Sequence, residues 1–194
     1  MYENNYLHST GGYLGYYLSK KNILKILNDG MIKPVSEIKD MKHKSKILPS
    51  KSISLCDPNR TIKDANYKVA NSSFEQFICY GPSIVLNKNF KVFTPIYSNK
   101  SLRNSTDLYD EVRHKGSIIL DDYIYITFPI SYDMKRKDNL ALYDLEDTKN
   151  KLKIYYEIIK EIETEFPSIS LMDLNTNNYI DSDFVKEKIY TLKK

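Results

Sequence analysis

The chain has 194 residues, 41% of them hydrophobic and 28% charged, with a formal net charge of +4 at pH 7. That length supports one sizeable core, so a single domain over 1–194 is expected. No apolar run reaches the ~18 residues of a membrane helix, and a charge this modest permits a nucleic-acid partner without requiring one.

Met1 to Asn5 hold neither a basic nor an apolar segment. No signal peptide is read there, and an intracellular, cytoplasmic protein is expected. Cys56 and Cys79 are the only cysteines and lack the Cys-x-x-Cys spacing. With three histidines, no metal set can be assembled by spacing, and both thiols are expected to be buried. The 17 tyrosines, set beside an absence of Trp, read as the codon bias of an AT-rich genome rather than as a base-stacking surface.

The first element is a short apolar strand, Tyr6-Leu7-His8, that runs into the hydroxyls Ser9 and Thr10 and the pair Gly11-Gly12. A helix over 20–29 follows, opened by Ser19 and closed by Gly30. Ile23, Leu24, Ile26 and Leu27 share one broad face of it, and Gly30 supplies the left-handed residue after the last turn. A basic loop over 33–46, bounded by Pro34 and Pro49, has no apolar period; exposure and mobility are predicted for it.

Ser52-Ile53-Ser54-Leu55-Cys56 alternates as a half-buried strand does, with its serines on one side, and Asp57-Pro58-Asn59 turns the chain. Residues 61–80 read as a loop or short helix before a strand at 83–87. Short strands are also expected at 90–93 and 117–120, and the strongest strand at 123–128. From 148, Leu152, Tyr155, Ile159, Ile162 and Phe166 follow a helical spacing that Pro167 ends. Glu157, Glu161 and Glu163, with Lys153 and Lys160, form the solvated face of that helix. A last short helix is expected near 183–191.

Three places carry candidate chemistry. An isolated histidine usually caps a turn or packs in a core, but His8 stands at a strand end beside hydroxyls, glycines and a capped helix, a setting suited to a phosphorylated or amide-bearing ligand. Ser52 and Ser54 lie on the second strand, ahead of Arg60; the plainer reading puts these serines on a solvent face. Glu111, within Tyr109-Asp110-Glu111-Val112-Arg113, stands before the later strands, and its plainer reading is a solvated charged loop with Arg113, His114 and Lys115.

In this order the three places resemble the ADP-ribosyltransferase superfamily of bacterial and phage type. The His8-Ser9-Thr10 strand end with the following helix resembles its opening motif, Ser52-Ile53-Ser54 its central strand, and Glu111 its glutamate. The arginine that relatives place directly after the central strand is displaced here to Arg60.

The resemblance implies an α+β fold, one domain with a split, mainly antiparallel sheet, flanking helices and an NAD cleft; the C-terminal helical segment 148–194 lies outside it. It implies an NAD-dependent glycosyltransferase, toxin-like in kind, that moves ADP-ribose from NAD to a macromolecular acceptor, nucleic acid or protein, and releases nicotinamide. His8, Ser9, Thr10 and Gly11 would bind the cofactor's nicotinamide end, Ser52 and Ser54 would line the pocket, Arg60 would contact phosphate, and Glu111 would act in catalysis with His8. No metal is implied. The alternative is a catalytically inactive module of the same fold that holds nucleic acid or a protein partner through the basic loop and the tyrosines. RNA 2′-phosphate removal is disfavoured, because its basic phosphate site cannot be placed.

Overall fold

A computed structural model of the chain describes residues 6–9, 20–38, 51–56, 81–87, 91–93, 111–120, 124–130 and 145–192. The chain divides into two compact units, Met1–Ile124 and Tyr125–Lys194.

In the first unit, strand β1 (Tyr6–Ser9) precedes helix α1 (Lys20–Asp29), a two-residue strand β2 (Met31–Ile32) and a single 3-10 turn over Val35–Glu37. Strands β3 (Ser52–Cys56), β4 (Ser83–Asn87), β5 (Glu111–Lys115) and β6 (Ile118–Ile119) follow. The sheet runs β5-β3-β1-β4, and each neighbouring pair in it is antiparallel. A separate small ladder joins β2 to β6, pairing Ile32 with Ile118.

Helix α1 forms where the spacing placed it. Ile23 and Leu27, one turn apart, are buried, while Leu24 and Ile26 flank them half-buried. Gly30 takes φ +60, a conformation that side chains resist and glycine adopts freely. Its N–H donates to the Leu27 carbonyl at 3.1 Å, closing the helix.

Two expectations are corrected here. Of the strand expected at 90–93, residues 91–93 are described, and among these only Phe93 pairs, through an isolated bridge to Arg113; Phe93 stays exposed. The basic segment begins with structure: Pro34 is buried, and the Glu37 carboxylate accepts from the Ser117 hydroxyl at 2.6 Å. Its remainder, with the turn at 57–59 and residues 61–80, lies outside the described residues.

The second unit opens on strand β7 (Tyr125–Phe128), continues through helix α2 (Leu145–Glu165) to strand β8 (Ser170–Asp173), and ends on helix α3 (Ser182–Thr191). β7 and β8 are parallel, so strand, helix and strand form a crossover unit. Leu152, Tyr155, Ile158, Ile159 and Ile162 are the buried stripe of α2, and the Tyr155 ring meets Phe128 edge-on with centroids 5.5 Å apart. Helix α3 is capped by the Asp181 carboxylate, which accepts from the Phe184 N–H at 2.8 Å. Glu163, expected on a solvated face, accepts from the Ser182 N–H at 2.9 Å and so ties α2 to the start of α3.

The fold is therefore mixed α+β, with three α-helices among the described residues and small sheets, antiparallel in the first unit and parallel in the second. No helix among the described residues is long and apolar enough to cross a membrane.

Candidate functional site

Strand alternation gives the four-stranded sheet two unlike faces. Ile53 and Leu55 of β3, Ile84 and Leu86 of β4 and Val112 of β5 share one face, and all are buried. Ser52, Ser54, Ser83, Val85 and Arg113 share the other, and these too are buried. The first face is an ordinary apolar core. The second is polar and still closed to water, which costs free energy unless its groups are hydrogen-bonded.

Arg113 shows how that cost is met. Its side chain is only 5% exposed. Its Nε donates to the Ser52 hydroxyl at 2.8 Å, and its Nη2 donates to the Ser52 carbonyl at 3.0 Å. One guanidinium thus grips a single residue of the neighbouring strand twice, a rigid two-point hold that a flexible ammonium does not reproduce. On the opposite face the His114 Nδ1 lies 2.8 Å from the Lys91 carbonyl.

The register brings expected residues together. His8 pairs with Cys56 and with Val85, and Cys56 pairs with Glu111. His8, Cys56 and Glu111 therefore occupy one row across β1, β3 and β5. Two strand spacings separate the outer members of that row, about 10 Å. Ser54 and Arg113 pair with each other, two residues along from the row on the same face.

Other expected residues fall elsewhere. Ser9 lies in the next row, with Leu55 and Ile84, so alternation separates it from His8. Ser52 and Ser54 are both on β3 as expected, yet the solvent-facing reading of these serines is wrong: both are buried. Glu111 and its followers are not a charged loop; they form strand β5. Thr10, Gly11 and Arg60 lie outside the described residues.

Arg113 is the site residue that the sequence reading passed over. Its signal was the period-two recurrence Glu111-x-Arg113-x-Lys115 against Val112, which marks a strand with one charged face. Among the described residues no group of His, Cys, Asp and Glu could hold a metal ion. Comparison with family models, with curated proteins and with solved structures found no match.

Proposed function

We propose that the row His8–Cys56–Glu111 is the ribose-binding centre of an NAD-dependent ADP-ribosyltransferase, and that the first unit is the NAD-binding half of such a fold. The observation that carries this reading is the register, which sets a histidine and a glutamate from distant parts of the chain in one row of an antiparallel sheet. The buried polar face beside them supports it, since Arg113 holds Ser52 at two points and so fixes the strand that carries Ser54.

In this reading His8 orients the nicotinamide ribose and Ser54 lines the nicotinamide side of the pocket. The bond from ribose C1′ to the nicotinamide nitrogen breaks, and nicotinamide leaves with the electron pair. Positive charge builds on the ribose, and the Glu111 carboxylate stabilises it, an interaction made far more strongly in the transition state than in the ground state. An acceptor nucleophile then bonds to C1′ and gives up its proton to Glu111 or to water. Ser9, Thr10 and Gly11 would complete the nicotinamide end, Ser52 would support it through Arg113, and Arg60 would meet phosphate.

Glu111→Gln tests the reading. Loss of one aimed electrostatic group costs about 10²–10³ in rate, or ~2.7–4 kcal/mol of barrier. Nicotinamide release should fall by that factor while NAD affinity, measured by calorimetry, stays near the wild-type value. A variant that folds normally and releases nicotinamide at the wild-type rate removes Glu111 from the chemistry. A wild-type protein that releases none with any acceptor makes the silent binding module the better account.

A further inference from the structure

We draw no further inference here: the strongest candidate, the buried Asp173 carboxylate at the C-terminal end of β8 with the asparagine-rich turn beyond it, already accepts from the Ile130 N–H at 3.2 Å and from the Thr176 hydroxyl at 2.8 Å, and no second feature among the described residues points to a ligand there.

Discussion

Arg113 concentrates the energetics of the polar sheet face, and its partner Ser52 is the residue on which to measure them. In Ser52→Ala the backbone carbonyl still accepts from Nη2, but the Nε–H loses the hydroxyl that it meets at 2.8 Å. A buried donor left unsatisfied costs ~1–3 kcal/mol. The urea midpoint should fall accordingly with an unchanged slope, because the surface exposed on unfolding is the same. A midpoint equal to wild type would mean that Arg113 is held by its other contacts. His8 is probed differently, since its expected work is on a ligand. His8→Ala should weaken NAD binding measured by calorimetry, and equal affinity in the two proteins would remove His8 from the site.

Elements whose pattern is local were legible in the sequence, strands β1, β3, β4 and β7 among them, and what pairing alone decides was not. Helix α1 was read at its observed bounds because four apolar residues at helical spacing and a terminal glycine point to one answer. Helix α2 carries its stripe as openly, with Ile158 a buried member that the spacing passed over. Strand β8, Ser170–Asp173, escaped notice: four residues leave little period to read, and its strand state comes from parallel pairing with β7. The row of His8, Cys56 and Glu111 was hidden for the same reason, since register is a property of three strands far apart in the chain. The end of α1 offers two tests. A Cβ added at Gly30 would meet nothing within 4 Å, so Gly30→Ala isolates the backbone cost of φ +60 and should lower stability by about 1–2 kcal/mol, with Gly30→Asn losing less. Asp29 ends the helix, where a negative charge opposes the dipole, and Lys33 answers it with a hydrogen bond of 2.7 Å. That bond, with further attraction from Lys33 and Lys25, holds the Asp29 carboxyl below its ordinary value of 3.8 against an opposing effect of desolvation. A depressed carboxyl stabilises the fold above that ordinary value, and its contribution is lost as pH falls through the folded value. In Lys33→Met the Asp29 titration, followed by NMR, should move back up towards 3.8.

At the scale of the whole molecule, charge frames the acceptor that the proposed function calls for. A net charge of +4 draws a protein towards nucleic acid, but binding carried mainly by phosphate contacts falls steeply with salt. The buried Arg113 is not part of such a surface: it is 5% exposed and committed twice to Ser52. Under the proposed function, recognition of the acceptor belongs to exposed groups, and the sheet row is assigned to the donor. Transfer to a macromolecule makes a prediction that release of nicotinamide alone does not. When the protein is incubated with cell lysate and NAD labelled in its adenylate half, the label should appear on material of high molecular weight. Digestion of that material with nuclease and with protease, in separate portions, should free the label in one portion and leave it bound in the other. Loss under nuclease assigns a nucleic-acid acceptor, and repeating the incubation at rising salt should then lower the yield; loss under protease assigns a protein side chain, with a weaker dependence on salt. Label found only as free ADP-ribose would show hydrolysis of NAD in place of transfer, and the proposal of a macromolecular acceptor would fall even with Glu111 confirmed in its role.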